Sequence, residues 1–282
     1  MKDQGRAVPA PAWVRRFDDI DRRLHIVLMT SFLGLALTGL PLLFSDRRWA
    51  KTLSHVFGGF KAAGGLHRTF AVVMVLVFLV HLARIMKRLF LDKETSILWG
   101  QGSLVPQPRD IAEMYGHIKW FIGLGERPKF GRFTYWEKFD YWAVFWGMGI
   151  IGGSGFVLWF PKFWSRFLTG DLFNVALLVH GEEALLATVF IFTIHFFNGH
   201  LRPEKFPMDT VIFTGVLPLE EVRHERPAEY EQLLADGRLE EIAAPGPTPR
   251  DVRRGRTIGT IAVTVGLVLV SLTIYALLSG TK

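Results

Sequence analysis

The sequence predicts an all-α integral membrane protein with five transmembrane helices, the first four of which form a bundle. Half of the 282 residues are hydrophobic. Most of them fall in five stretches of about 20 residues, the length that crosses a hydrocarbon core of about 30 Å. Lys and Arg residues flank these stretches instead of interrupting them, which is typical of membrane-spanning helices.

The five apolar stretches define the predicted spans, which cover residues 24–44, 66–85, 139–160, 172–198 and 258–278. They divide the chain into a polar N-terminal segment, a four-helix domain, a polar linker and a last helix, at residues 1–23, 24–200, 201–257 and 258–278. The four-helix domain includes a polar connector over residues 92–138. Shorter helices are predicted in the polar parts, at residues 49–60, 109–122 and 218–242.

The basic residues predict the orientation of the spans. Of the 33 Lys and Arg residues, 25 lie in residues 1–24, 84–138 and 201–257, which therefore face the cytoplasm. The N-terminus is then cytoplasmic and the C-terminus, with Lys282, lies outside a prokaryotic inner membrane. The net charge of +7 reflects this orientation and does not indicate nucleic-acid binding. The absence of cysteine excludes disulfides, iron–sulfur clusters and covalently attached haem c.

Five histidines lie near the ends of the spans and sort into two layers by depth. His180 and His195 are fifteen residues apart in one span, or about 22 Å along a helix, so they lie near opposite membrane faces. His67 joins His180 in the outer layer, and His25 and His81 join His195 in the inner layer. Ionisable residues inside a membrane are costly and usually functional.

This pattern predicts one haem b in each layer, because a haem iron takes two axial nitrogens and neutral imidazoles supply them without adding charge. Any one of these histidines could instead donate a hydrogen bond to a carbonyl. Such separate roles do not explain why five histidines on three helices fall into two layers. In the outer layer only His67 and His180 are available. In the inner layer the partner of His195 is His25 or His81, and the fourteen-residue spacing from His67 favours His81 because it returns to within about 40° of the same helix face.

Other polar residues have weaker assignments. His55, His117 and His224 are typical of solvated connectors. His200, Asn198 and Arg84 lie at the inner end of the spans, where a quinone headgroup or a haem propionate could bind. Glu182 and Glu183 follow His180 and could orient its ring. The glycine-rich segment Gly147–Gly155 is suited to close helix packing and also to a flat macrocycle.

Four spans, in order, resemble one known family. The matching segments are Arg23–Phe44, the GGLHR sequence of Gly64–Arg68, Lys138–Pro161 and the helix that carries His180 and His195. They resemble the di-haem cytochrome b family of the formate dehydrogenase gamma subunit and the nickel–iron hydrogenase cytochrome b. The resemblance covers residues 15–200.

The resemblance implies a set of haem ligands. His25 and His195 would hold the inner haem, and His67 and His180 the outer haem. The family usually has fourteen residues between the two histidines of the fourth span. The fifteen found here imply a bulge or a changed ring angle in that helix.

The resemblance also implies a function, the transfer of electrons between menaquinone or ubiquinone and an extracytoplasmic redox partner through two b haems. The extra segment after residue 200 resembles the branch of the family found beside multi-haem cytochromes c, which favours such a partner over an iron–sulfur protein. The outer connectors carry basic residues suited to docking it, namely Arg47, Arg48, Lys162 and Arg166. A haem-binding membrane anchor or sensor without quinone chemistry is the alternative. A secondary transporter is disfavoured because no paired interrupted helices are evident.

Overall fold

The computed structural model describes residues 12–279, which are mostly helical. Within this range five helices are long and apolar enough to cross a membrane, and we call them the first to fifth spans: Asp19–Leu43, Phe60–Leu91, Tyr135–Trp159, Gly170–Leu201 and Pro249–Leu278. All five predicted spans are confirmed. Each helix begins before its apolar stretch, because helical hydrogen bonding continues into the polar flanks. Residues 1–11 of the predicted N-terminal segment and Lys282 lie outside the described residues.

Shorter helices occupy the connectors, at Arg48–Val56, Pro108–Phe121, Pro161–Trp164, Val211–Thr214, Leu219–Glu225 and Pro227–Ala235, with a 3₁₀ turn at Thr95–Ile97. The predicted helix at residues 109–122 is confirmed. The one predicted at residues 49–60 is present but ends at Val56, because Gly58 and Gly59, both with positive φ, interrupt it. The single helix predicted over residues 218–242 is wrong. Two helices lie there because Pro227 begins a new one and Arg226, at φ −134°, is not helical.

The described residues form two compact units. The first, which we call the polar unit, comprises residues 12–22, 88–139 and 210–253. It contains a two-stranded antiparallel sheet of β1 (Trp13–Arg15) and β2 (Val216–Pro218). Val14 of β1 packs with a small apolar cluster of Leu217, Leu219 and Val222. The sheet was not predicted, because each strand is only three residues long and its partner is about 200 residues away in the chain.

Buried charges hold the polar unit together. Arg16 is paired with Glu229 at 3.2 Å, and their side chains are only 4% and 9% exposed. Arg132 bonds the other oxygen of Glu229 at 3.0 Å. Lys138 and Asp110 form a second buried pair at 2.7 Å. These partners come from segments distant in sequence, so the ion pairs fix how the segments meet.

The second unit, which we call the span unit, comprises residues 23–87, 140–209 and 254–279. Each of its first four spans contacts two of the others, through the pairs Gly34–Phe70, Phe78–Phe145, Gly155–His180 and Phe32–Phe192. The first four spans therefore contact one another in a closed ring, first to second, second to third, third to fourth and fourth to first.

The fifth span packs on the same unit through small residues. Gly266 lies against Phe192 and Phe196 of the fourth span, and Gly259 lies against Met208. Large apolar side chains on its other face, such as Ile261 and Tyr275, are exposed. An exposed apolar face of this kind is what a lipid-facing helix requires.

The fourth span contains a π-helical turn at Ile191–His195. A π-turn inserts one extra residue into an α-helix. Of the two possibilities that the resemblance implied for this helix, a bulge or a changed ring angle, the structure shows a bulge, and this bulge ends at His195. A second π-helical turn follows at Phe197–Leu201.

Candidate functional site

The structure brings the two outer-layer histidines together. The ring centroids of His67, on the second span, and His180, on the fourth, are 6.2 Å apart, with the rings inclined by 78°. An imidazole nitrogen binds a transition metal at about 2 Å, so two such bonds in line plus the two ring radii add up to roughly 6 Å. The separation of the rings thus matches an iron held between them.

The partners of each Nδ1 fix the tautomer of these rings. His180 Nδ1 lies 3.0 Å from the carbonyl oxygen of Ile151, which can only accept a hydrogen bond. His67 Nδ1 lies 3.1 Å from Thr38 Oγ1, and that hydroxyl donates its own proton to the Gly34 carbonyl at 2.7 Å. Both Nδ1 atoms therefore carry the proton. Each Nε2 keeps a lone pair, which is the state that a metal ligand requires.

Glycines bring a neighbouring helix against each ring. A Cβ atom at Gly39 would lie 2.9 Å from Cε1 of His67, and one at Gly155 would lie 2.9 Å from Cε1 of His180. Real Cβ atoms do not come this close to a ring, so a larger residue at either position would displace the imidazole. The glycine-rich segment of the third span therefore seats a histidine ring, in addition to packing helices.

The contacts around the two rings follow the same arrangement, which we call a glycine cradle. In the first span, Thr38 and Gly39 contact His67, and in the third span, Ser154 and Gly155 contact His180. Each glycine follows a hydroxyl residue whose oxygen lies within hydrogen-bond distance of Nδ1, at 3.1 Å for Thr38 and His67 and at 3.4 Å for Ser154 and His180. The shared pattern is short, and only its contacts with the two histidines make it visible.

In the inner layer, His195 is oriented by a carboxylate. Its Nδ1 lies 2.9 Å from Oδ2 of Asp140, on the third span. A carboxylate on the Nδ1–H of a ligating histidine is a common partner in metal sites, and it leaves Nε2 free for the metal. Asp140 was not among the predicted site residues. It could have been found from the sequence as an acidic residue inside a predicted span, because such residues usually have a function.

The two other inner histidines differ in their surroundings. His25 interacts electrostatically with both His195 and His200, and its buried Nδ1 has no hydrogen-bond partner among the described residues. In contrast, Nε2 of His81 lies 2.9 Å from the Tyr141 hydroxyl. That nitrogen would have to release the phenol before it could bind a metal.

The quinone candidates lie at this inner end. His200 interacts electrostatically with His195, and its buried Nδ1 has no hydrogen-bond partner within the described part of the chain. Arg84 lies in the last turn of the long helix of the second span, and Asn198 lies in the π-helical end of the fourth, both half-buried. Arg84 and Asn198 stay candidates on their position alone.

Two expectations about polar side chains are wrong. Glu183 does not orient His180, because it accepts a hydrogen bond from the indole of Trp146 at 3.1 Å, and Glu182 is exposed. His117 is not a solvated histidine. It is 7% exposed and is surrounded by five aromatic rings of the polar unit, those of Trp120, Phe121, Phe130, Tyr135 and Trp136.

The outer layer offers two imidazole ligands, which is the number that a haem iron takes from the protein. Among residues 12–279, no group of three or more His, Cys, Asp or Glu residues is arranged to hold a metal ion. A haem iron takes four ligands from its own macrocycle and needs only two from the protein. The paired rings, the fixed tautomers and the glycine cradles fit that requirement.

The sequence was also compared with known proteins. No family model and no curated protein matches it. The functional conclusion therefore depends on the residues and their geometry.

Proposed function

We propose that the chain is the membrane-anchoring di-haem cytochrome b subunit of a respiratory oxidoreductase complex. It would transfer electrons between a membrane quinone, menaquinone or ubiquinone, and a redox partner outside the inner membrane. The first four spans would form the bundle that holds two b haems, and the fifth would be an added helix. The N-terminus would be cytoplasmic and the C-terminus outside.

The observation that carries the proposal is the outer pair of histidines. His67 and His180 come from different spans, yet their rings lie 6.2 Å apart, and each Nδ1 is bonded to a group outside the pair. Helix packing alone gives no reason to place two half-buried imidazoles face to edge with both Nε2 atoms unprotonated. An iron between them accounts for the distance, the tautomers and the two glycines.

The inner site would be held by His195 and His25. His195 has the fixed tautomer and the carboxylate partner of a ligand, and His25 is its electrostatic neighbour with no partner for Nδ1. His81 is the less suitable candidate because Tyr141 occupies its Nε2. The geometry therefore favours the ligand that the family resemblance implies over the one that spacing favours.

Each bound haem would supply one-electron iron chemistry, and the chain's residues would fix its place and surroundings. The histidines set two positions roughly 22 Å apart along the fourth span, which spans most of the bilayer. His200, Asn198 and Arg84 would meet the quinone headgroup at the inner end. The exposed connector Pro161–Trp164 and the residues after it would face the partner, for which we propose a multi-haem cytochrome c.

The test is quinol-dependent reduction of the protein in lipid nanodiscs. We expect menaquinol or ubiquinol to reduce both haems, as followed by the α-band of haem b. Reduction by dithionite but by neither quinol would contradict the proposal, and would indicate a haem-binding anchor or sensor without quinone chemistry.

A further inference from the structure

The two layers differ in the charge of the groups that bond their histidines. In the outer layer, the acceptors at Nδ1 are neutral: the Ile151 carbonyl for His180 and the Thr38 hydroxyl for His67. In the inner layer, the acceptor for His195 is the carboxylate of Asp140. The Asp140 side chain is 16% exposed, so water screens its charge poorly.

Asp140 has one oxygen committed to His195 and one without a partner. Oδ2 lies 2.9 Å from His195 Nδ1, whereas Oδ1 is buried and has no hydrogen-bond partner among the described residues. Because a carboxylate at Nδ1 accepts the ring proton, Nε2 of His195 lies on the far side of the ring and keeps its lone pair.

We propose that Asp140 is a positioning residue that makes the inner haem the lower-potential one of the two. This rests on the proposed function. An anionic acceptor at Nδ1 draws the proton toward itself and makes the imidazole a stronger electron donor through Nε2. A stronger donor and a nearby negative charge both stabilise the ferric state over the ferrous state.

In the outer layer a nearby positive charge would raise the reduction potential of the haem. Arg68 follows the ligand His67 directly and interacts with it electrostatically. A positive charge beside the site stabilises the ferrous state, because reduction adds a negative charge. The two effects act in the same direction, lowering the inner potential and raising the outer one.

A direction of electron flow follows from this order. With both haems bound, one electron would be transferred from the inner site, held by His25 and His195, to the outer site, held by His67 and His180, with no proton exchanged. The equilibrium would favour the electron at the outer site. This order favours quinol oxidation at the inner side and reduction of an extracytoplasmic acceptor.

The test is an equilibrium redox titration of the purified holoprotein, with His67→Ala used to remove the outer haem and so to assign the two components. In the wild-type protein, we expect the inner haem to be the lower-potential component. In Asp140→Asn, which keeps a neutral acceptor, we expect the inner haem to be reduced at least tenfold more readily, an upward shift of about 59 mV or more for one electron. Asp140→Glu, which keeps the charge, should retain the low potential.

Glu183→Gln is the matched control, because it removes a carboxylate of the same unit that bonds Trp146 and not a histidine. It should leave the inner potential unchanged. The role of Asp140 would be overturned if Asp140→Asn kept both haems with no shift, or if the inner haem of the wild-type protein were the higher one. The order of the two potentials in the wild-type protein tests the proposal even if Asp140→Asn loses its haem. A wild-type protein without two haems would overturn the proposed function instead.

Discussion

Gly39 lies so close to His67 that a single methyl group at the glycine would fall 2.9 Å from the Cε1 atom of the ring. Gly155 has the same relationship to His180. Two histidines from the second and fourth spans are thus each seated against a glycine of the preceding span. Close packing through glycine is common between membrane helices, but here the group that needs the space is an imidazole.

Replacing either glycine by alanine should therefore disturb the outer haem. We expect Gly39→Ala and Gly155→Ala each to lose most of the outer haem while keeping the inner one, as measured by redox-resolved difference spectra. Gly153→Ala is the matched control, because a Cβ there meets nothing within 4 Å. Loss of haem in the control to the same degree would mean that the spans tolerate no added volume and that the ring contact is not the cause.

The inner ligand is tested by comparing two histidines. His25→Ala should abolish the inner haem signal, whereas His81→Ala should retain it, because Nε2 of His81 is bonded to Tyr141. Tyr141→Phe should likewise retain it. The opposite pattern, with the signal lost in His81→Ala and kept in His25→Ala, would show that the inner haem breaks the His81–Tyr141 bond and takes His81 as its ligand.

Charges on the outer connectors are expected to guide the partner. Arg48, Lys162 and Arg166 are exposed, and reversing all three should slow electron exchange with the extracytoplasmic subunit without loss of either haem. Stopped-flow reduction at low ionic strength would measure this effect, which salt should diminish. An unchanged rate would place the docking surface elsewhere.

Arg47 is set apart from the other three basic residues. Its guanidinium donates to the Ala276 carbonyl at 2.9 Å and is paired with Asp46 at 3.3 Å. We therefore expect Arg47→Glu to loosen the fifth span in addition to changing the surface charge. Faster proteolysis at the end of that span would reveal the loosening, and the triple reversal should not show it.

The polar unit depends on its buried ion pairs. Glu229→Ala removes a carboxylate that both Arg16 and Arg132 contact and leaves the buried Arg16 with the more distant Glu137, at 3.8 Å, so it should destabilise the unit by up to about 3–5 kcal/mol. Glu231→Ala, on the same helix, breaks only the exposed pair with Lys129 and should cause no measurable change. Thermal unfolding of the two variants in the same detergent would compare them. Equal stability would mean that the buried pair is compensated by other groups.

Much of this architecture follows from local sequence. Five apolar stretches predicted five spans, because an apolar run of membrane length has few other stable structures. The spacing of fifteen between His180 and His195 is one more than in the family that the spans resemble. It led us to expect a bulge or a changed ring angle, and a π-helical turn lies at Ile191–His195. The sorting of the histidines into two layers was predicted from helical rise and from the direction of each span.

What the sequence did not predict depends on contacts between distant segments. The β1–β2 pairing and the Asp140–His195 bond each join residues from different segments. No local pattern marks such contacts. A local pattern can also mislead. Glu183 lies about one turn after His180, which suggested a hydrogen bond between them, but Glu183 accepts a hydrogen bond from Trp146.

The most direct test of the central claim is the number of haem b groups per chain, measured by pyridine haemochrome on purified protein and repeated for two variants. We predict two per chain in the wild-type protein. His67→Ala and His180→Ala should each hold about one, and both should lose the same redox component, because the two rings, 6.2 Å apart, are proposed to bind one iron. One haem or none in the wild-type protein, or the loss of different components in the two variants, would contradict the di-haem arrangement.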